Sequence, residues 1–230
     1  MRGLVEQTGR FTTPRAVYGV LLNFQNELSA LGDAVNQPPY KAPPKAPVMY
    51  VKPANTWAAN GDPIPLPEGQ TVLEPGVSLG IVFGRTATRV AERAALDCVA
   101  GFAIVNDVRL PHTSFYRPAL KQLCRDGFCI IGPTVPVSKL TDPANLSLRA
   151  FVNGELKQEA TTADLVRPIP RLIAEISSFM SFGRGDILMI GVPAGRPQAQ
   201  AGDRVKVEIP GIGSLENEVV VESRIAGASA

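Results

Sequence analysis

Few residues in this chain have the type and setting for chemistry, and most of them fall between Lys52 and Arg125. Asp107 closes FAIVND, an apolar run that reads as a buried strand. A carboxylate at the end of such a strand can point into a cleft. It reads equally well as an Asx turn that caps the strand. Alone it falls short of the several oxygen ligands that a divalent ion takes from a protein. Basic groups accompany it. Lys52 follows the short apolar run VMYV, and Arg117 and Arg125 sit in SFYRPALKQLCRDGFC, with Phe115 and Tyr116 interleaved. Fixed cations facing a pocket suit a polycarboxylate substrate, because a guanidinium grips a carboxylate through two parallel hydrogen bonds. The plain alternative is solvated surface charge, the usual fate of Lys and Arg.

Other chemistries are excluded by what is missing. The sequence has no phosphate loop, no dinucleotide fingerprint, no His-Glu-x-x-His and no Gly-x-Ser-x-Gly. His112 is the one histidine, so no two-histidine metal site can form, and after Pro111 it reads as a partly exposed loop residue. Cys98, Cys124 and Cys129 are an odd number without zinc-site spacing. They read as buried small side chains in a reducing compartment. The 23 Lys and Arg nearly balance the 21 Asp and Glu without any block of like charge, which implies neither nucleic acid nor a membrane surface as partner. No apolar run reaches the roughly 18 residues that a spanning helix needs. MRGLVEQTGRFTTPR has no apolar centre of the secretory type, so a cytoplasmic protein is expected.

The elements that must position these residues are mostly strands. The 230 residues, 45% apolar, suffice for a large core, and 21 Gly with 21 Pro indicate many turns. Ala16–Leu22 and VMYV read as strands, with helical spacing of Phe24, Leu28 and Leu31 between them. QPPYKAPPKAP reads as a rigid connection. We expect a loose arm over the first dozen residues and a small lobe over 1–45, followed by the main domain over 46–230. Thr71–Leu73 reads as a short strand, and VSLGIVF (77–83) as one buried on both faces. Ala91–Ala100 has alanine-rich helical character closed by Gly101. Leu146–Val152 runs into Asn153-Gly154, a strong hairpin signal. A helix beginning near Pro168 carries the stripe Ile169, Leu172, Ile173, Ile176 and Met180, with Gly183 as its stop. Gly185-Asp186 and Gly202-Asp203 precede further strands, and Pro210–Gly213 reads as a hairpin turn. The class is α+β, mostly β.

Read in order, VKPANT, VAGFAIVNDV, FYRPA, RDGFCIIGP, VNGELKQEATTADLV, GDILMIGVPAG and GDRVKVEIPGIGSLEN resemble the fumarylacetoacetate hydrolase family from Tyr18 onward. PYKAPPKAP, SFYRPA and CRDGFC are similar to the first half of those members that isomerise and decarboxylate intermediates of 4-hydroxyphenylacetate (homoprotocatechuate) breakdown. The resemblance implies a rolled mixed β-sheet with flanking helices. It also implies Mg²⁺ or Mn²⁺ chelated by a 2-oxo acid, a hard dication that stabilises the enolate left when carbon dioxide departs.

The family's metal ligands are Glu-x-Glu on one strand and a later Asp. Asp107 matches the last, while Gly76 and Ser78 stand where the glutamates belong. Glu74 lies two positions early, as a substitute that a shifted loop would have to recruit. Leu123 replaces a lysine, with Lys121 two places out of register. Glu27 and Ala30 replace a His-x-x-Glu pair, and Val192 replaces a threonine. Lys52, Asn106, Asp107 and Arg117 keep the family identity, and Lys52, Asp107 and Arg117 are the substrate-binding candidates. The resemblance therefore implies a subunit whose own metal site is degenerate. Its partner, in a homodimer or heterodimer, would be a homologous catalytic subunit holding the dication. The alternatives are a stand-alone metal-dependent 2-oxo acid decarboxylase or acylpyruvate hydrolase, and a non-catalytic scaffold.

Overall fold

The centre of the molecule is built on two strands that are apolar on both sides. The computed structural model describes residues 14–114 and 117–222; the expected loose arm and the pair Phe115 and Tyr116 lie outside them. Strand β5 (Val77–Phe83) is buried at every residue, as its nearly all-apolar run predicts. It pairs antiparallel with β6 (Val99–Asp107), Val77 opposite Asn106 and Ser78 opposite Val105.

Around this pair the described residues form a seven-stranded mixed sheet. From one edge it runs through β2 (Val48–Val51), β1 (Val17–Leu21), β10 (Ile187–Met189), β5, β6, β7 (Cys129–Pro136) and β3 (Trp57–Ala58). The order within a second, five-stranded sheet is β4 (Ile64–Leu66), β12 (Gly213–Val221), β11 (Arg204–Ile209), β8 (Ser147–Val152) and β9 (Glu155–Thr161). Leu79, Ile81, Phe102 and Ile104 of the first sheet meet Leu148, Ala150, Val207 and Leu215 of the second in one continuous core. The opposite face of the first sheet carries a smaller apolar cluster that includes Val105, Cys129, Ile187 and Met189, with Tyr50 and Trp57 against it. The architecture is thus α+β, mostly β, with a curled mixed sheet and few helices.

Helices α1 (Gln25–Ser29), α2 (Leu120–Leu123) and α3 (Ile169–Ser177) are short. In α3 the expected stripe Ile169, Leu172, Ile173 and Ile176 is 4% exposed or less, and Met180 lies beyond the helix. The helix ends six residues before Gly183, whose N–H is instead held by Asp186 Oδ2 at 2.6 Å. Asn153 and Gly154 turn the β8–β9 hairpin with φ of 53° and 80°, both in the left-handed region that this two-residue turn demands.

Two expectations need correction. The alanine-rich segment forms only a 3₁₀ turn, Glu92–Cys98. Cys98 O accepts the Gly84 N–H and Val99 already pairs with Phe83, so sheet pairing overrides helix propensity. Gly101 lies inside β6 rather than at a helix end, where a Cβ would overlap the Val135 carbonyl of β7. Residues 71–73 contribute a single bridge, Leu73 to Ala199. Strand β1 pairs with β2 across the proline-rich connection, Tyr18 opposite Val51. No helix among the described residues is long and apolar enough to cross a membrane.

Candidate functional site

Antiparallel pairing brings Asp107 opposite Gly76, with the Asp107 N–H donating to Gly76 O at 2.8 Å. Side chains alternate along a strand, so Gly76, Ser78, Val105 and Asp107 share one face of the sheet. This face carries the smaller apolar cluster and Tyr50. The positions expected to correspond to the two missing glutamates therefore do lie beside Asp107.

Asp107 is fully buried, and its carboxylate is surrounded by three cationic or donor groups from two segments, the one that carries Tyr50 and Lys52 and the one that carries Arg196. Lys52 Nζ stands 2.7 Å from Oδ1. Tyr50 donates its hydroxyl to Oδ2 at 2.7 Å, and Arg196 Nη2 donates to the same oxygen at 2.8 Å. Arg196 Nη1 also donates to the Asp107 backbone carbonyl. The Tyr50 ring reaches this place by crossing Gly19, its neighbour on β1, where any Cβ would collide with it. Lys52 is held equally tightly. Its ammonium donates to the carbonyls of Val108 (2.7 Å), Leu123 (2.9 Å) and Phe128 (2.9 Å). Three carbonyls use its three protons, so Oδ1 meets it as an ionic contact rather than through a dedicated hydrogen bond.

Burial alone would raise the Asp107 carboxyl, but the Lys52 and Arg196 charges overcome it and hold the group well below the usual carboxylate range. Burial and the Asp107 charge push the Tyr50 phenol well above its ordinary value, so it stays a donor. Burial likewise pushes the Cys129 thiol up to about 12, which keeps it inert.

Outward from this centre lies a half-buried ring of charge. Glu74 accepts from Arg109 Nε at 2.7 Å, and the two residues also bridge through their backbones. Arg109 Nη1 faces His112 Nε2 at 3.4 Å, and His112 Nδ1 donates to Ser114 O at 3.1 Å. Burial and the Arg109 charge lower the imidazole below its ordinary value, so it is neutral at pH 7. Glu27 accepts the Leu22 N–H at 2.6 Å. Burial raises its carboxyl to about 7 against the pull of Arg196, so it can hold or release a proton near neutrality.

Of the candidates drawn from the sequence, the structure brings Lys52 and Asp107 together and leaves Arg117 exposed beyond the undescribed pair. Lys52 and Asp107 are sealed against each other, so they brace the end of β6 rather than present open ligands. Glu74 is engaged by Arg109. Leu123 serves through its carbonyl, whereas Lys121 is exposed. Ser78 donates its hydroxyl to Gly191 O at 2.7 Å, and Val192 is buried. Cys98 and Cys129 are buried as expected; Cys124 is half-buried and contacts Val51 O. Among the described residues no three His, Cys, Asp or Glu side chains come close enough to hold a metal ion.

Sequence reasoning missed Arg196 and Tyr50. Tyr50 had a signal, since it lies two residues before Lys52 and hence on the same side of an extended chain. Arg196 had none nearby, because its carboxylate partner is 89 residues away.

Comparison with known proteins places this geometry among relatives. A 4-hydroxyphenylacetate degradation bifunctional isomerase/decarboxylase of Escherichia coli is 44% identical over 209 residues, covering 91% of this chain and 48% of that protein. This chain therefore spans about half the length of the bifunctional relatives it matches. The solved 2-hydroxyhepta-2,4-diene-1,7-dioate isomerase of Mycobacterium marinum superposes with a TM-score of 0.73 at 31% identity, over 91% of this chain and 75% of that one. The maleylpyruvate hydrolase of Sphingobium sp. SYK-6, solved with manganese(II) and pyruvate, gives 0.72 at 29% identity, over 90% and 71%. The family signature described as fumarylacetoacetate (FAA) hydrolase C-terminal matches residues 16–220, and the chain belongs to the fumarylacetoacetate hydrolase family.

Proposed function

We propose that this chain is one half of a two-part isomerase and decarboxylase acting on 2-oxo polycarboxylates of 4-hydroxyphenylacetate breakdown, and that a homologous half holds the divalent ion. The observation that carries this reading is the 44% identity over 91% of the chain to one half of a bifunctional enzyme with these two activities. A manganese-bound relative makes a dication the natural expectation for an intact site. The residues around Asp107 do not fit one. Its carboxylate is engaged by Lys52, Tyr50 and Arg196, and among the described residues no three His, Cys, Asp or Glu side chains come close enough to hold an ion. A dication added there would set four positive charges against one carboxylate in a buried place.

In this reading the chain's own residues shape and brace. Lys52 ties the segments around Leu123 and Phe128 to the end of β6, and Arg109 with Glu74 fixes the backbone just beyond it. Glu27 is the group able to exchange a proton near neutral pH.

The test is turnover of 5-oxopent-3-ene-1,2,5-tricarboxylate with magnesium or manganese, by the chain alone and after mixing with a homologous subunit of intact Glu-x-Glu/Asp pattern. The expected result is negligible turnover alone and a gain above the partner's own rate on mixing. Saturable, metal-dependent turnover by the chain alone, lost in Asp107→Asn, would support the stand-alone decarboxylase or hydrolase instead. No gain on mixing would leave the non-catalytic scaffold.

A further inference from the structure

The centre at Asp107 is not merely short of ligands; it is filled. Arg196 lies at the end of the turn Gly191–Gly195, and its side chain is only 6% exposed. The guanidinium makes the paired contact for which its planar shape is suited, one nitrogen to the Asp107 carboxylate and the other to the backbone carbonyl of the same residue. The turn that delivers it is pinned at both ends of its reach. Asn26 Oδ1 accepts the Ala194 N–H at 3.1 Å, and Ser78 Oγ donates to Gly191 O at 2.7 Å.

Position 76 explains how the guanidinium comes to lie there. An added Cβ at Gly76 would overlap Arg196 Nη1 and crowd Val192 Cγ1. Gly76 faces Asp107 across the β5–β6 pairing, so a side chain at 76 and the guanidinium compete for one volume. A carboxylate at 76 and an arginine bonded to Asp107 exclude each other in this arrangement.

We infer that Arg196 is the resident cation of this centre, standing beside Asp107 where a divalent ion would otherwise balance the charge, and that Gly76 is the residue that admits it. The loss of carboxylates and the gain of arginine are then one coupled exchange. Asp107 already faces two cations without any metal, whether or not the chain joins a homologous partner, so this inference is independent of the assembly proposed above.

The experiment uses the purified full chain, with Mn²⁺ as probe. The melting temperature of the wild-type chain is expected to be the same within about 1 °C in EDTA and in excess Mn²⁺, and calorimetry should detect no Asp107-dependent binding. Arg196→Gln should lower the melting temperature by several degrees. In a double-mutant cycle, Gly76→Ala should destabilise the wild-type background more than the Arg196→Gln background. The gain-of-site variant is Gly76→Glu/Ser78→Glu/Arg196→Val. It should bind one Mn²⁺ per chain, whereas Gly76→Glu/Ser78→Glu with Arg196 retained should bind at least tenfold more weakly.

Mn²⁺ uptake by the wild-type chain that Asp107→Asn abolishes would overturn the inference. So would an unchanged melting temperature in Arg196→Gln, additivity in the cycle, or equal Mn²⁺ affinity with and without Arg196. If the triple variant does not fold, as judged by circular dichroism, the wild-type titration, Arg196→Gln and the cycle decide the matter.

Discussion

On the outer face of the five-stranded sheet, Arg149 reaches Glu159 at 2.8 Å and Arg204 reaches Glu216 at 3.2 Å. At the end of β6, Lys52 and Arg196 reach Asp107 at 2.7 and 2.8 Å. The lengths nearly coincide, but the surroundings do not. The surface side chains are 38–71% exposed, against 0–6% for the buried three. On the sheet face, water and salt screen each pair, and holding two long side chains together offsets most of the attraction. At Asp107 the partners are sealed from solvent, so water cannot replace the contacts that any one of them loses, and removing the carboxylate leaves two buried cations uncompensated. Buried charge of this kind fixes the shape of a place; surface charge keeps a sheet face wet. The difference marks the Asp107 centre, and not the more numerous surface pairs, as the place where charge holds the fold in one shape.

The sharpest way to break that contrast is Lys52→Met. The variant keeps the stem but strips the donor from three carbonyls and a cation from Asp107. We expect a loss of about 3–5 kcal/mol, read by urea denaturation. A loss below 1 kcal/mol would mean that the buried centre behaves like the surface pairs. Tyr50→Phe should come next. It removes one hydrogen bond to a charged group and leaves the ring crossing Gly19, so about 1.5–3 kcal/mol is expected from the same measurement.

The frame around the centre was largely legible in the sequence. VSLGIVF announced a strand buried on both faces because it is nearly all apolar, and Asn153-Gly154 announced a hairpin because few other pairs accept its backbone angles. The stripe on α3 was legible because each member recurs at helical spacing and finds the core. Residues 92–98 misled, since alanine favours helix locally while β6 claims the chain at Val99. The centre itself was half legible. Lys52 and Asp107 stood out as charges bounding apolar runs, and the missing glutamates were visible as Gly76 and Ser78. What those absences made room for was not. A glycine states only that space exists, and the residue that fills it arrives from a turn 120 positions later. Long-range filling of this kind leaves no local pattern.

Glu27 lies between the two extremes, at the half-buried margin of the centre, and its test is a pH profile. Burial raises its carboxyl from 4.5 to about 7 in the folded chain, so between those values the folded state binds a proton that the unfolded state has released. Stability attributable to this group is therefore fully present below pH 4.5 and declines as pH rises through 7. Glu27→Gln should match the wild type at pH 4.5 and exceed it at pH 8 by about 1–2 kcal/mol, a figure reduced for partial solvent screening. A flat difference between the two pH values would show that Glu27 titrates like a surface acid.

The smallest effect belongs to the sheet face. Glu159→Gln removes the negative charge facing Arg149 Nε while leaving an amide oxygen to accept from it and from Ser147 Oγ, and Arg149 also has Glu208 within 3.8 Å and open water beside it. The melting temperature should move by no more than about 2 °C, and 0.5 M NaCl should erase the change. The same salt should leave the Lys52→Met deficit intact, because ions do not enter a place where both partners are sealed from solvent. Salt thus separates the two kinds of pair even where their bond lengths cannot. A large, salt-resistant effect at Glu159 would place that face, rather than the end of β6, among the structurally decisive charges.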